Sequence, residues 1–396
     1  MTEKRRVAIT GIGVVSAVGI GQEAYWQGLL APQPTGERRV HDFDPKKFYS
    51  EPKAIRRADR FEQFAIAAAN EALEQSGHPG TDPDRIGVLI GTGIGGALTH
   101  EDQTLTLAEK GGRRVSPFTV PMMMSNAAAA AVSMQHGLQG PCECLSTACA
   151  TGTHSIGSAA RWIQSGLCDA VVAGGTEAAM TPVAIHGFTN MKALSPSGVS
   201  RPFDAGRDGF VISEGAAIVV LEEWAQAKAR GAHILAEVLG SASLADAHHI
   251  TAPAPGGAGA SRCMRRALDD ADLEPDQIAH INAHGTSTSL NDAAEAQGIA
   301  QVFGARASTQ PPPIVTSIKG VTGHTLGGAG ALEAVAVVLS MQNHLIPPTD
   351  GLEQYDPELP KIDLVQKEAR PWTPGPSISN SFGFGGHNGT LVLGPA

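Results

Sequence analysis

The sequence predicts an α/β fold of parallel strands covered on both faces, and three features carry that expectation. Short, wholly apolar strand-like runs alternate with segments of helical period along the whole chain. The 47 glycines sit in small clusters at the ends of those runs, where tight strand-to-helix turns need them. A length of 396 residues exceeds one simple core, so two domains or one duplicated domain are expected.

Taken in order, the strand-like runs of the first part are "RVAIT" from Arg6, "IGVLIG" from Ile86, "DAVVAGG" from Asp169 and "AAIVVLEE" from Ala216. The charged helix "EEWAQAKARGA" then ends at Gly231, and the alternation begins afresh with "HILAEVLG", "IAHINA", "PPIVTSI" and "GTLVLG". Helical period marks "FEQFAIAAANEALEQSG" and "ALEAVAVVLSMQ". The break at Gly231 divides the chain into halves of similar plan, 1–231 and 232–396, with "TAPAPGGAGA" and "STQPPPI" as loops of the second.

A net charge of −10 and a pI near 5.8 argue against a nucleic-acid partner, which needs a basic face. No apolar run approaches the roughly 18 residues of a membrane span. "MTEKRRVAITG" runs straight into a strand with no signal-peptide core. Five cysteines, an odd number in a long chain, make no disulfide framework, and a reducing cytoplasm is the expected location.

Two glycine motifs mimic a dinucleotide fingerprint. "GTGIGG" follows the strand "IGVLI", and "TGIGVVS" comes close to the same pattern. After Gly96 comes "ALTHEDQTLTLAEKGGRRVSPF", which offers no second strand closed by an acidic residue as the fingerprint requires, so turns and pocket lining are the expectation.

Three of the five cysteines crowd into "CECLSTACATG". No second Cys or His pair stands at zinc-knuckle spacing nearby, so no metal is expected. Cys142, Cys144, Cys168 and Cys263 are expected as packing residues. Cys149 has another setting. Ser146 and Thr147 are N-cap types, and the stripe Gly152, Ile156, Ala159, Ala160, Ile163 follows, ending at Gly166. Cys149 is therefore expected in a helix's first turn, where the backbone dipole lowers a thiol's pKa, with Ala148, Ala150 and Gly152 leaving a substrate room.

Two further corners supply imidazoles. "IAHINAHGTSTSLNDAAEAQGIAQVF" predicts a strand, a glycine turn holding His284, and a helix with Ser289 and Asp292 in capping positions. "PPIVTSIKGVTGHTLGGAGALEAVAVV" repeats that plan with Lys319 at the strand end, His324 in the turn and Glu333 in the helix. Both histidines thus fall at the carboxyl ends of strands, where α/β sheets gather their chemistry. A papain-type protease also spaces its Cys and His widely, but it wants "CGSCW" and a single base. Two imidazoles suit a site that handles a thioester and then a carboxylate, because neutral N–H groups can share a developing enolate oxygen. In "SISNSFGFGGHNGTLVLG", glycines flank Phe382 and Phe384; a glycine-rich hairpin and a hinged gate with an oxyanion N–H fit equally.

Over nearly its full length the sequence resembles the elongating β-ketoacyl-acyl-carrier-protein synthases, the class called synthase II. The resemblance rests on "TACATGTHSIGSA", "NAHGTSTSLND", "SIKGVTGHTLGGAGALE", "NSFGFGGHNG", "SRPFDAGRDGFVISEGA" and "GTGIGG". It implies a thiolase-like five-layered α-β-α-β-α fold built from two duplicated halves and assembled as a dimer. It also implies that Cys149 takes the acyl chain as a thioester, with the N–H groups of Cys149 and Phe384 as the oxyanion hole. His284 and His324 would assist decarboxylation of malonyl carrier protein and hold the enolate. Lys319 would orient the His324 side, Glu333 would anchor that loop, and Phe384 would swing to admit the acyl chain. Thr286 and Thr288 correspond to threonines that bond the phosphopantetheine arm, which arrives on the carrier protein; no free cofactor is implied.

The family's carrier protein is acidic, so this acidic chain needs a local basic patch. Lys53, Arg56, Arg57, Arg113, Arg114 and Arg201 are candidates, and Lys53, Arg57 and Arg201 fall where the family docks its carrier. The chain also departs from the pattern. Ile94 matches a pocket-lining isoleucine, but Ala97 stands where leucine is usual and His387 where threonine is commoner. "FTVPMMMSNAAAAAVSM" places Met and Ala where pocket and dimer interface meet. A roomier or unusual acyl pocket is the expectation. The alternative within the family is a type II polyketide ketosynthase paired with a chain-length-factor subunit. A non-catalytic partner subunit usually lacks the nucleophile, and a thiolase or coenzyme A-dependent initiating synthase would show a single His or a His/Asn pair.

Overall fold

In the computed structural model, residues 4–49, 51–80, 82–304 and 311–396 are described. Ser308 to Gln310 of the expected "STQPPPI" loop lie outside them. The first half contributes strands β1 (Val7–Ser16), β2 (Ile86–Gly91), β3 (Cys142–Glu143), β4 (Ala170–Glu177) and β5 (Gly215–Glu223). Its helices are α1 (Arg60–Ser76), α2 (Ala97–Lys110), α3 (Ala127–His136) and α4 (Thr151–Gln164). The second half contributes β6 (Ala236–Ala245), α5 (Ala258–Asp270), β7 (His280–Asn282), α6 (Ser289–Phe303) and β8 (Ile314–Thr316). It ends with α7 (Ala329–Asn343), β9 (Asp363–Leu364), β10 (Ser377–Gly383) and β11 (His387–Pro395).

Strand order is β9-β8-β7-β10-β11-β6-β1-β5-β4-β2-β3. Outward from β1 the first half runs β5, β4, β2, β3; outward from β6 the second runs β11, β10, β7, β8. Parallel and antiparallel pairings match position for position. The first sheet, β3-β2-β4-β5-β1, and the second, β6-β11-β10-β7-β8-β9, join edge to edge into this continuous order where β1 pairs antiparallel with β6 through Val7↔Val238, Ala8↔Glu237 and Ile9↔Ala236. Each sheet is therefore mixed, not all-parallel as expected. The reason is visible at β10–β11: a connection of three residues, Phe384 to Gly386, can join only antiparallel neighbours.

Five layers follow from which faces are apolar. α1 and α3 pack the outer face of the first sheet in one buried cluster. α5 and α6 cover the second sheet in another. α4 and α7 lie between the sheets in a shared cluster with strands of both. The near-fingerprint "TGIG" proves structural: a Cβ on Gly11 or Gly13 would stand 2.0 Å from the carbonyl oxygens of Ala72 or Ala68 on α1. α1 can lie on β1 only because those side chains are missing.

The central helices touch at their starts. A Cβ on Gly152 would fall 2.5 Å from Ala331 N, and one on Gly330 2.2 Å from Thr153 Oγ1. The turns that precede α4 and α7 thereby meet, and these are the turns that hold Cys149 and His324.

Candidate active site

Cys149 sits two residues ahead of α4, behind an N-cap at Ala150, not in the helix's first turn as expected. Thr147 is not the cap. Its N–H donates to Thr151 Oγ1, and Ala148 takes φ 50, a left-handed conformation that turns the chain sharply at the nucleophile. The electrostatic expectation changes with the position. Burial pushes the Cys149 thiol up to about 11, opposed by the Lys319 ammonium and the Phe384 N–H. The resting thiol is thus protonated at neutral pH. Its alkylation by iodoacetamide should accelerate about tenfold per pH unit from pH 6 to 9, because only the thiolate reacts. A plateau at pH 7–8 would instead reveal a thiolate–imidazolium pair.

His284 follows β7, and its backbone N–H donates to buried Glu295. Lys319 opens a four-residue helix, Lys319–Thr322. Its ammonium donates to the His284 carbonyl at 2.7 Å, lies 3.2 Å from His284 Nδ1, and pairs with Glu333 of α7. The expected role on the His324 side is therefore corrected: Lys319 bonds His284. With Nδ1 accepting from the ammonium, the neutral His284 ring carries its hydrogen on Nε2. Glu333 also accepts from Ser381 Oγ; burial raises its carboxyl, and the Lys319 ammonium counters that rise.

His324 is placed by backbone bonds, its N–H to Val211 O at 2.7 Å and its carbonyl accepting from Ser213 N at 3.0 Å. The two imidazoles stand edge to face with centroids 5.3 Å apart. Burial, foremost, and the Lys319 charge hold both well below the usual imidazole range, so both are neutral. Cys149 Sγ and a ring nitrogen of each histidine lie within 4.8 Å of one another. Such a trio has the donor types of a metal site, yet the Lys319 ammonium beside His284 opposes a cation there.

A cavity of about 320 Å³ opens onto this trio, lined by Cys149, His284, His324 and the expected Ile94, Thr286, Thr288, Phe382 and Phe384. Ala97 is not on its wall. It starts α2 and packs against the cluster of Phe210 and Leu326, which do line the cavity. Thr286 and Thr288 bond each other at 2.9 Å. Phe384 begins the β10–β11 turn, in which Gly385 and Gly386 take φ 83 and 74. That turn is tethered: Gly385 N donates to Ile250 O, and Asp246 N to Gly386 O.

Several other residues depart from expectation. Ser289 begins α6 but does not cap it, and Asp292 accepts from Phe203 N deep in the structure. Cys142 is exposed on the two-residue edge strand β3, and Cys144 is half-buried, so neither is core packing. Cys168 and Cys263 are buried. Lys53, Arg56, Arg57, Arg113 and Arg114 are exposed, and the Arg57 guanidinium lies 4.5 Å over the Phe118 ring. Arg201 is half-buried, facing Ser197 and Gly206.

Glu177, a residue the motifs did not single out, explains "GTGIGG". Its buried carboxylate accepts from Thr92 Oγ1, Gly93 N, Ile94 N and Gly327 N. The glycine loop cradles a carboxylate of the protein itself and ties it to the His324 turn. The signal was an acid at the end of an apolar strand, whose partners lie 85 residues upstream and 150 downstream.

Residues 31–227 match the β-ketoacyl synthase N-terminal domain, and residues 235–353 the β-ketoacyl synthase C-terminal domain. The chain is 44% identical to the 3-oxoacyl-[acyl-carrier-protein] synthase 2 of Synechocystis sp., covering 99% of this chain and 98% of that protein. Its fold superposes on the ishigamide ketosynthase/chain length factor with TM-score 0.91 at 33% identity, covering 99% of this chain and 100% of that one. A type II polyketide ketosynthase solved with its acyl-carrier protein gives TM-score 0.90 at 31% identity, with 100% of both chains covered.

Proposed function

The chain belongs to the β-ketoacyl synthase family, and from that premise we propose that it condenses an acyl chain held on Cys149 with malonyl carrier protein, releasing carbon dioxide. The observation that carries this reading is the convergence of one thiol and two neutral imidazoles on an apolar cavity. As the Cys149 sulfur adds to the incoming thioester carbonyl, its proton passes to a neutral imidazole. The N–H groups of Cys149 and Phe384 hold the resulting oxyanion. Collapse expels the pantetheine sulfur, which takes the proton and leaves an acyl-Cys149 thioester. Malonyl carrier protein then loses carbon dioxide, and the electron pair enters its thioester as an enolate. The enolate oxygen accepts from His284 Nε2–H and from His324. Its carbon adds to acyl-Cys149 and expels the thiolate, releasing β-ketoacyl carrier protein.

No free cofactor enters this sequence, since the phosphopantetheine arrives on the carrier protein, along a path past Thr286 and Thr288. Phe384 would move on its glycines to admit the acyl chain, and the Lys319–Glu333 pair positions His284. Elongation of fatty acyl chains is favoured by the greater identity to the synthase 2 relative. Work beside a chain-length-factor subunit is the second reading, favoured by the fold's likeness to the ishigamide pair. A non-catalytic partner subunit is opposed by Cys149, His284 and His324 standing together. Incubation with a graded series of acyl carrier proteins should load Cys149, as read by mass spectrometry. Acylation at any other residue would sink the reading, and preference confined to saturated C8–C14 chains would sink the roomier pocket.

We further propose assembly as a dimer, with a second copy or a related subunit. Ile94 lines the cavity yet is 48% exposed, and exposed Met123 and Met124 lie close to it, so a partner here would close the cavity. The halves 1–231 and 232–396 are proposed as the duplicated units; the repeated strand order supports them. No helix among the described residues is long and apolar enough to cross a membrane, and a cytoplasmic site of action is proposed with the carrier protein as partner. Docking through Lys53 and Arg57, with Arg201 at the edge, completes the proposal. Reversing Lys53 and Arg57 to Glu should raise the carrier-protein KM about tenfold with Cys149 alkylation unchanged. Equal loss of both would remove the docking role.

A further inference from the structure

His154 lies on α4, five residues beyond Cys149, and is 5% exposed. Its Nδ1 is 2.8 Å from Thr147 Oγ1, and its Nε2 is 3.1 Å from the Asn388 carbonyl oxygen. A carbonyl can only accept, so Nε2 carries the hydrogen. Burial lowers the ring's pKa and keeps it neutral, so Nδ1 accepts from the Thr147 hydroxyl.

This one ring therefore joins two backbone segments. Thr147 belongs to the turn that ends in Cys149. Asn388 faces Phe382 across the β10–β11 ladder, whose tip begins with Phe384. The junction is close-packed: a Cβ at Gly383 would stand 2.9 Å from both Cys149 N and Thr147 O, and one at Gly389 3.0 Å from the His154 ring. The turn also contains Ala148 at φ 50, a conformation that must be held by its surroundings.

We propose that His154 is a positioning residue for acyl transfer: bonded to Thr147 and to the Asn388 carbonyl, it sets the spacing between the N–H groups of Cys149 and Phe384. The inference rests on the reading of those groups as the oxyanion hole. Such a hole works only when both donors meet the place the oxygen will occupy. Negative charge develops there when the Cys149 sulfur adds to a thioester carbonyl. None develops there when the same sulfur displaces iodide from iodoacetamide.

The test compares single-turnover acylation of Cys149 by an acyl carrier protein, the KM for that carrier, and iodoacetamide alkylation. The proteins are wild type, T147V, H154Q and the double variant. Gln keeps a donor for the Asn388 carbonyl but loses the bond to Thr147, which T147V breaks from the other end. Each single variant should acylate about tenfold more slowly, with KM and alkylation within about threefold of wild type. The double variant should be no slower than the slower single one, because both break one bond. Additive losses, wild-type acylation in both single variants, or acylation and alkylation falling together would make His154 a packing residue and overturn the proposal. Wild-type protein that is alkylated at Cys149 but never acylated there would overturn the nucleophile reading as well.

Discussion

Replacing Cys149 with Ala should lower chain elongation by at least about 10³-fold, because it removes the atom proposed to carry the acyl group. Little else changes at that position. The substitution deletes only Sγ, and the cavity wall, both histidines and the Phe384 turn keep their supports in other elements. The variant should therefore still release carbon dioxide from malonyl carrier protein, since the proposed mechanism holds the enolate oxygen on His284 and His324. Paired assays of elongation and carbon dioxide release check this split. Elongation above a tenth of wild type would exclude Cys149 as the nucleophile. Loss of both activities would show that Sγ itself takes part in decarboxylation.

The second large effect is expected at Lys319. Its ammonium, 1% exposed, pairs with Glu333 and donates to the His284 carbonyl. Lys319→Ala leaves the Glu333 carboxylate buried without its counter-charge, a loss on the order of 3–5 kcal/mol in folding stability. It also frees His284 Nδ1, so the ring is no longer confined to the tautomer with hydrogen on Nε2. Decarboxylation should fall about a hundredfold or more, beyond what unfolding removes. A Lys319→Ala, Glu333→Gln double variant separates the two consequences. It should regain much of the stability, because the unpaired charge is gone, while decarboxylation stays low. Recovery of both together would mean that Lys319 serves only to neutralise Glu333. Melting temperature and carbon dioxide release are the two measurements.

Much of this architecture was legible because burial imposes a period. Strands such as "AAIVVLEE" are apolar up to their closing glutamates and buried along their whole length because helices cover both faces, and that composition announces the α/β class. The direction of each strand was not legible, since composition is the same for parallel and antiparallel neighbours; only the short β10–β11 link betrays it. Cys149, His284 and His324 could be picked out because each interrupts a run of small residues next to a turn. The contact of Lys319 with His284 could not, because it depends on how α7 brings Glu333 alongside. The raised pKa of the Cys149 thiol was not legible for a related reason: a helix start lowers a thiol's pKa only where solvent or nearby charge outweighs burial, and burial is not written in "CECLSTACATG". His154 and Glu177 look like parts of an apolar stripe and an apolar strand until distant backbone arrives to bond them.

The close crossing of the two central helices has a further meaning. Cys149 and His324 each stand in the turn before a central helix, at matching places in the repeated strand order, held together by the missing side chains of Gly152 and Gly330. A repeated scaffold would ordinarily present the same chemistry twice. Here one corner carries sulfur and the other nitrogen on the same strand-turn-helix plan, so on the proposed mechanism an acceptor and a donor of carbon can be served from equivalent addresses. The tolerance of that arrangement is a single methyl group: Gly152→Ala would pry the addresses apart without touching either reacting atom.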